Sequence, residues 1–326
     1  MPSVSVVMTT YNGARHLREQ LDSLGAQSHL PDELVVGDDG STDETLQILE
    51  DFADSAPFPV HIHQNAERLG FTKNFLAAIE WSRGDIVFLC DQDDVWSKDK
   101  IETMLAFMTR DPEAWYVTHD AAYVDENLRP LGVTAFSIAR NRMRLLNHHV
   151  QGCATAIRRE LVVAVPPPPE KFFGHDIYLH MCAVALDRTA TLDRVLLQYR
   201  RHGRSTTDGF EPLGRQQFLR WLRCAILRDE EVCRETAEMI DEDIDALAAR
   251  ITIVERLQGH VDGSHARQVE SHLRSKRREL ASRRERRSAR ALPFTRRVRS
   301  IIGLWRNGTY ASSRGWLSML RDLVLP

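Results

Sequence analysis

Three aspartates stand close together directly after a run of apolar residues. Asp91, Asp93 and Asp94 follow the segment 86–90, which is apolar throughout. Like charges this close repel one another unless a cation or hydrogen-bond donors lie among them. Mg²⁺ and Mn²⁺ prefer oxygen ligands and often bind one or two carboxylates together with substrate phosphates. The cluster indicates a divalent-cation site; the alternative is a solvated turn in which Asp94 or Ser97 caps the next helix.

Two further polar clusters follow predicted strands. The β-rich runs that predict strands are residues 4–8, 34–37, 59–63 and 86–90, with two short runs further along the chain at 189–192 and 195–199. Helical patterns alternate with the first four runs, which predicts a parallel sheet in an α/β fold. One of these helices is predicted from Thr42 to Phe52, with Ser41 as its cap. Ligands on such sheets bind beyond the carboxyl ends of the strands. The polar clusters 9–12, 38–41 and 91–94 lie at those ends, so we expect them to converge on one site.

The charge distribution divides the chain. The net charge is −3, and 43% of the residues are hydrophobic, as in ordinary globular proteins. Residues 260–326 contain 16 Lys and Arg against 5 Asp and Glu, a balance of +11, which leaves −14 for the remainder. Such asymmetry indicates an anionic partner for the basic region, either a membrane surface or a nucleic acid.

Cysteine spacing and hydropathy favour a cytoplasmic protein. The five cysteines are scattered without a Cys-x-x-Cys pair, so we expect neither a disulfide framework nor a zinc site. No basic segment precedes the first strand, which argues against a signal peptide. No run of 18 apolar residues predicts a membrane span.

The pattern changes near residue 210, so we predict a catalytic α/β domain at 1–210 and a helical, basic extension at 211–326. Long helical patterns occupy 216–258 and 266–290, and the second is rich in arginine and expected to be exposed. Residues 294–325 mix aromatic, aliphatic and Arg residues in the manner of an interfacial amphipathic helix. A helix packed on the catalytic domain is the alternative.

The three polar motifs resemble those of the inverting family-2 glycosyltransferases with a GT-A fold. The matching stretches are Val4 to Gly13, Asp38 to Asp43, and the DxD-type Asp91-Gln92-Asp93-Asp94. The longer stretch Cys90 to Trp96 resembles the rhamnosyltransferase-like branch. The resemblance covers about residues 1–205. It implies a Rossmann-like, mostly parallel sheet flanked by helices, followed here by the helical extension.

The resemblance also implies a nucleotide-binding set. In the family pattern, Thr9 and Tyr11 line the nucleobase, with the tyrosine ring stacked on it, and Asp39 accepts a hydrogen bond from uracil or thymine. Asn12, Lys73 and Asp91 complete the predicted set, with Asp91 near the ribose. The alternatives are a turn residue for Tyr11, a carboxylate at a helix N-terminus for Asp39, and a plain surface lysine for Lys73.

A base and a metal site follow from the same resemblance. Asp176 lies in the stretch Phe173 to Leu179, which matches the motif of the general base; a carboxylate favoured by a helix N-terminus is the alternative. Asp91, Asp93 and His202 are the predicted ligands of Mn²⁺ or Mg²⁺, with a structural histidine as the alternative for His202. Asp94 is assigned to support or capping.

Four residues are assigned to contacts with the sugar or the acceptor. Asp120 follows a predicted strand and is assigned to the donor sugar. Gln151 and Gly152 match a stretch below the acceptor site, where glycine permits close backbone approach. His175 either orients Asp176 or is a loop histidine.

The predicted function is transfer of a sugar from a dTDP- or UDP-sugar, with dTDP-rhamnose suggested by the branch, to a saccharide or lipid-linked hydroxyl in surface polysaccharide synthesis. The expected location is the cytoplasm, with peripheral contact at the anionic inner membrane. Nucleic acid is not an expected partner, because no recognition motif accompanies the basic region. The alternative is an inactive nucleotide-sugar-binding module that acts through its helical tail.

Overall fold

The computed structural model describes residues 1–141, 151–170, 172, 174–202, 230–310, 315, 318–319 and 322–323. The chain divides into two compact units, residues 1–208 and 209–326. The predicted domain boundary at residue 210 and much of the predicted amphipathic segment after residue 310 lie outside the described residues.

Strands and helices alternate through the first unit. The strands are β1 (Val4–Thr10), β2 (Glu33–Asp38), β3 (Val60–Gln64), β4 (Ile86–Cys90), β5 (Val95–Trp96), β6 (Tyr116–Val124), β7 (Pro130–Thr134), β8 (Thr155–Arg158) and β9 (Thr189–Arg200). The helices are α1 (Ala14–Gly25), α2 (Thr45–Ala53), α3 (Phe71–Trp81), α4 (Lys100–Arg110), α5 (Ala135–Asn141), α6 (Arg159–Ala164) and α7 (His175–Ala185). A 3-10 turn, Gly152–Ala154, precedes β8.

One sheet joins these strands in the order β3-β2-β1-β4-β8-β6-β9-β5, with β7 paired to β6. The half formed by β3, β2, β1 and β4 is parallel throughout. In the other half β8 is antiparallel to both β4 and β6, whereas β9 runs parallel to β6. The predicted α/β fold with a parallel half is confirmed, and the carboxyl ends of β1, β2 and β4 lie at one edge.

Burial places β2 and β4, of the parallel half, within the core. Every residue of β2 and β4 is buried, as expected for strands covered on both faces. Side chains from α1, including Leu17, Leu21 and Leu24, are fully buried against the same cluster. The loops at the carboxyl ends are therefore held by a rigid scaffold.

Two local predictions were wrong. We predicted separate strands at 189–192 and 195–199, but β9 is one continuous strand. Its pairing with β6 shifts register on either side of Asp120. The helix predicted at Thr42 with Ser41 as its cap begins instead at Thr45. The Ser41 hydroxyl donates to Asp38 at 2.6 Å, so it does not cap the helix.

The second unit contains three described helices: α8 (Glu230–Gln258), α9 (Gly263–Arg290) and α10 (Phe294–Arg306). We expected α9 to be exposed, but it buries Val269, Leu273 and Ala289. It also buries Arg286 and Arg290, which bind the fully buried carboxylate of Asp322. Pairing with this carboxylate makes the burial of arginine possible.

Among the helices that the structure describes, none combines the length and the apolar character needed to cross a membrane.

Candidate active site

The acidic cluster forms the loop between β4 and β5. Asp91 and Asp93 are partly buried, and Asp94 is fully buried. The Oδ1 atom of Asp94 accepts a hydrogen bond from the backbone N–H of Arg200 at 3.0 Å. Its Oδ2 atom is buried without a hydrogen-bond partner among the described residues. Asp94 is therefore not a helix cap, and α4 begins only after Asp99.

Asp91 and Asp94 lie beside the thiol of Cys153, and their ligand atoms all fall within 4.8 Å of one another. Burial, and then the charge of Asp93, raise the pKa of Asp91 to about 7, and the same causes raise the pKa of Asp94. Burial and the neighbouring carboxylates also raise the pKa of the Cys153 thiol, which thus stays protonated. Two carboxylates with an orphaned oxygen fit a hard divalent cation, whereas the thiol fits a hydrogen-bond donor.

Asp93 turns toward the end of β9. Its Oδ2 atom lies 2.8 Å from Nε2 of His202, and both side chains are partly buried. The ring of His16, on α1, stacks on His202 with the centroids 5.3 Å apart. The structure thus pairs two of the three predicted metal ligands and places the third, Asp91, with Asp94 instead. The assignment of Asp93, His202 and Asp91 as ligands stays a prediction.

A buried arginine holds the acidic loop against the end of β9. The guanidinium of Arg200 donates to the backbone oxygens of Asp93 at 2.7 Å and Glu126 at 2.6 Å, and it pairs with Glu19. Its donors are directed into the protein, so its contacts support a positioning role.

A buried lysine that the sequence reasoning missed lies under the same loop. Lys100 is fully buried, donates from Nζ to the backbone oxygen of Cys153 at 2.7 Å, and lies 3.6 Å from the centre of the Trp96 ring. Burial lowers its pKa to about 8. Its charge opposes the repulsion within the cluster and lowers the pKa of Asp91. The signal that could have identified Lys100 is the presence of a lysine in the first turn of the helix that follows an acidic loop.

Asp176 lies in the first turn of α7, across the 3-10 turn from the acidic cluster. Its Oδ2 atom accepts from the backbone N–H of Gly152 at 3.0 Å, and its Oδ1 atom accepts from the N–H of Ile177 at 2.8 Å. A Cβ on Gly152 would lie 3.1 Å from Cβ and 3.2 Å from Oδ2 of Asp176. The predicted close approach at Gly152 is therefore present. The charge of Asp176 contributes, after burial and Asp93, to the raised pKa of Asp91.

The other predicted sugar and acceptor residues surround this turn. Gln151 donates from Nε2 to the hydroxyl of Tyr123 at 2.5 Å, and its Oε1 is buried without a partner among the described residues. The ring of His175 stacks on Phe75 at 3.9 Å between centroids. Asp120 uses Oδ1 to accept from the backbone of Ala121 and Phe136, which ties β6 to α5.

The nucleotide half of the predicted site lies at the ends of β1 and β2. Tyr11 is 38% exposed, and its backbone exchanges two hydrogen bonds with the side chain of Gln92 at 2.9 and 3.3 Å. The guanidinium of Arg68 lies over the Tyr11 ring, 3.8 Å from its centre. Gln92 therefore links the Tyr11 loop, which follows β1, to the acidic loop between β4 and β5. Neither Gln92 nor Arg68 was predicted, because both contacts join segments that are distant in sequence.

Asp39 is buried and anchors the loop that precedes α3. Its oxygens accept from the backbone N–H groups of Leu69 and Gly70, both at 2.7 Å, and from the amide of Asn65 at 3.1 Å. A carboxylate offers about four acceptor positions, so these bonds are compatible with the predicted contact to a base.

Thr9, Asn12 and Lys73 complete the predicted nucleotide set. Asn12 adopts φ of 47° and accepts from the backbone N–H of Thr42 at 2.8 Å, so its amide oxygen joins two loops. Thr9 is partly buried at the end of β1, and Lys73 is exposed on α3. The neighbouring Asn74 is buried and donates to the backbone oxygen of Gly37 at 2.8 Å.

Sequence comparison identifies the family of the first unit. Residues 5–165 match the sequence model of Glycosyl transferase family 2. Over 120 residues the chain is 33% identical to the dTDP-rhamnosyl transferase RfbG of Shigella flexneri, an alignment that covers 36% of this chain and 42% of that protein. The chain spans 59% to 65% of the length of the curated relatives that it matches over the longest stretches.

Solved structures give the fold. The chain is similar to S. aureus TarS 1-349 in complex with UDP, with a TM-score of 0.52 and 20% identity over 96% of this chain and 95% of that one. It is also similar to the mannosyltransferase PcManGT from Pyrobaculum calidifontis in complex with GDP-Man and Mn²⁺, with a TM-score of 0.53 and 19% identity over 99% and 85%.

The sheet, the acidic loop beyond its parallel strands and these likenesses define a GT-A α/β fold. The chain carries a glycosyltransferase family 2 domain within this fold, as the resemblance of its motifs predicted.

Proposed function

We propose that this chain transfers a sugar, with inversion at the anomeric carbon, from a nucleotide-diphosphate sugar to a hydroxyl of a saccharide or a lipid-linked acceptor. The proposed donors are dTDP- and UDP-sugars, with dTDP-rhamnose as the first to test. RfbG, a relative, is a dTDP-rhamnosyl transferase, and TarS, a structural neighbour, binds UDP. Surface polysaccharide synthesis is the proposed setting.

One observation carries the proposal. The turn Gly152–Ala154 joins the two halves of the chemistry, because Gly152 donates to Asp176 and Cys153 lies beside Asp91 and Asp94. A group that accepts a proton and a group that binds a diphosphate are thereby held against the same short segment. Inverting transfer needs both within one substrate's reach.

In the proposed reaction Asp176 accepts the proton of the acceptor hydroxyl. The acceptor oxygen forms a bond to the anomeric carbon from the face opposite the diphosphate, and the bond from that carbon to the diphosphate oxygen breaks. The backbone donors at Gly152 and Ile177 fix the orientation of the base. Asp91 and Asp93, with His202 as a further ligand, would hold a divalent cation, which supplies charge neutralisation for the departing diphosphate.

Transfer is best tested with a panel of donor sugars, alkyl glycoside acceptors and Mn²⁺, followed by NMR of the product's anomeric configuration. Asp176→Asn should lower transfer by about 10²- to 10⁴-fold, the usual contribution of a general base, with UDP binding retained. Asp54→Asn, at an exposed carboxylate, is the matched control. Full activity of Asp176→Asn contradicts the assignment, and tight donor binding without turnover on any acceptor favours the inactive binding module.

We also propose peripheral contact of the second unit with an anionic membrane. The helix α10 exposes Phe294, Ile302 and Trp305, which are 68%, 44% and 42% exposed. Arg296 and Arg299 are exposed on the same helix. Apolar side chains beside arginines are typical of helices that lie in the interface of anionic lipids.

A further inference from the structure

We propose that Arg68 is a cover for the nucleobase: it occupies the face of Tyr11 when the site is empty and closes over the outer face of the base when a nucleotide is bound. The inference rests on the proposed nucleotide-sugar function and names a residue that completes its base-binding subsite. The stack of Arg68 on Tyr11 is the observation from which it starts.

The distance shows that Arg68 and a base compete for one place. The guanidinium lies 3.8 Å from the centre of the Tyr11 ring, which is contact distance for two flat groups. A base inserted there needs roughly 3.5–4 Å to each neighbour. Arg68 must therefore move outward by about one ring thickness before a base stacks on this face of Tyr11.

The side chain of Arg68 is free to make this movement. Arg68 is exposed, and it has no hydrogen bond or ion pair among the described residues. Its guanidinium contacts the ring of Tyr11. The guanidinium ends a flexible stem, and a planar cation stacks on a heterocyclic base as it stacks on a tyrosine ring. An equivalent stack on the base thus replaces the stack on Tyr11.

The backbone beneath Arg68 is fixed, which keeps the moved side chain over the site. The carboxylate of Asp39 binds the backbone N–H groups of Leu69 and Gly70, the two residues that follow Arg68. It also accepts from the side chain of Asn65, three residues before Arg68. The same carboxylate that is predicted to recognise the base therefore anchors the loop that carries the cover.

The positive charge of Arg68 indicates how much the cover should contribute to nucleotide affinity. Tyr11 lies on the acidic first unit, and Gln92 ties its backbone to the loop that contains Asp91, Asp93 and Asp94. A cation over an aromatic ring stabilises a stack by amounts that correspond to roughly 3- to 30-fold in affinity. Because the stack acts on the base, the gain should be equal for a nucleoside and for its diphosphate.

Calorimetric titration of uridine and UDP into the full chain with Mn²⁺ tests the proposal, with dTDP titrated into the wild type as a further ligand. We expect Arg68→Ala to weaken both ligands by the same factor, within the roughly 3- to 30-fold range, and Arg68→Lys to weaken them less. Arg110→Ala, at an exposed arginine on α4, is the control and should bind like the wild type. Melting temperatures of all variants should agree, because Arg68 is exposed.

The other outcomes overturn the proposal in distinguishable ways. Weaker binding of UDP with unchanged binding of uridine would make Arg68 a phosphate ligand. Unchanged or tighter binding of both ligands by Arg68→Ala would show that Arg68 covers nothing or only obstructs the site. If the wild type binds neither UDP nor dTDP, the proposed function fails and this inference fails with it.

Discussion

Among single residues, the candidate site depends on how closely the carboxylate of Asp176, the proposed base, approaches a backbone. Gly152 donates its N–H to Asp176, and a Cβ at this position would crowd its neighbours, because it would lie 3.1–3.3 Å from Asp176 and from Nε2 of His175. His175 is buried against Phe75 and gives little room. Because position 152 has no Cβ, the carboxylate of Asp176 can lie this close to its backbone.

Gly152→Ala should displace Asp176 by a few tenths of an ångström and lower kcat by about 10- to 100-fold, since catalysis is sensitive to misplacement below 1 Å. UDP affinity should change little, because the nucleotide loops are not touched. Steady-state kinetics and UDP titration separate the two. Gly25→Ala is the matched control, as its Cβ would meet Phe52 at an ordinary 3.7 Å. Equal kcat for both variants would show that the close approach does not matter.

The buried charges mark the limit of sequence reasoning at this scale. Arg200 and Lys100 are fully or nearly fully buried, although such residues are almost always on the surface. Their partners, the backbone oxygens of Asp93 and Cys153, are far away in sequence. A motif shows which carboxylates cluster, but only the fold shows which cations hold them.

At the scale of elements, the acidic loop is positioned by two strand ends. β4 delivers the loop, and the end of β9 holds it through the Arg200 backbone and guanidinium. β9 also pairs with β5, immediately after the loop. The loop is therefore braced on both sides by one strand.

Arg200→Met should loosen this brace. It removes the charged donor of two partly buried hydrogen bonds, to the backbone oxygens of Asp93 and Glu126, at a cost of about 1–3 kcal/mol for each in the free energy of unfolding. Urea denaturation measures that decrease, and the Mn²⁺ concentration for half-maximal transfer should rise. Glu19→Gln is the control; the Glu19 side chain is 53% exposed, so a change below about 1 kcal/mol is expected. Identical unfolding curves for Arg200→Met and the wild type would refute the bracing role.

The elements differ in how far the sequence predicts them. The parallel half follows from local signals, because β1, β2 and β4 are apolar runs followed by polar clusters. The mixed half does not, since β8 pairs with β4 and β6 through contacts between distant segments. The start of α2 was misplaced because Ser41 binds Asp38 and not the helix.

At the scale of the whole molecule, two compact units carry different charge and different packing. The first is acidic and holds the candidate site, whereas the second is basic and helical. Within the second unit Asp322 binds Arg286, Arg290 and the hydroxyl of Tyr310. Truncation before residue 310 would remove Asp322 and leave the buried Arg286 and Arg290 without their carboxylate partner. The membrane proposal is therefore better tested by point substitution.

Combined Ile302→Ser and Trp305→Ser should reduce co-sedimentation with phosphatidylglycerol vesicles several-fold, because both side chains are exposed on α10. Arg296→Ser and Arg299→Ser should act in the same direction, at roughly 1 kcal/mol for each charge. Met239→Ser, at an exposed apolar residue of α8, serves as the control. Membrane binding that is the same for every variant, or equal on neutral vesicles, would remove the proposal.

The most direct test of the central claim is calorimetric titration of UDP and dTDP into the wild type and Asp93→Ala, with Mn²⁺ and with EDTA. If the acidic loop and the Tyr11 loop form one metal-dependent nucleotide site, at least one of the two nucleotides binds the wild type with Mn²⁺. Binding should then weaken by at least about tenfold with EDTA or in Asp93→Ala, since metal and diphosphate are held together. Failure of both nucleotides to bind, or affinity unchanged by EDTA and by the substitution, would contradict the account.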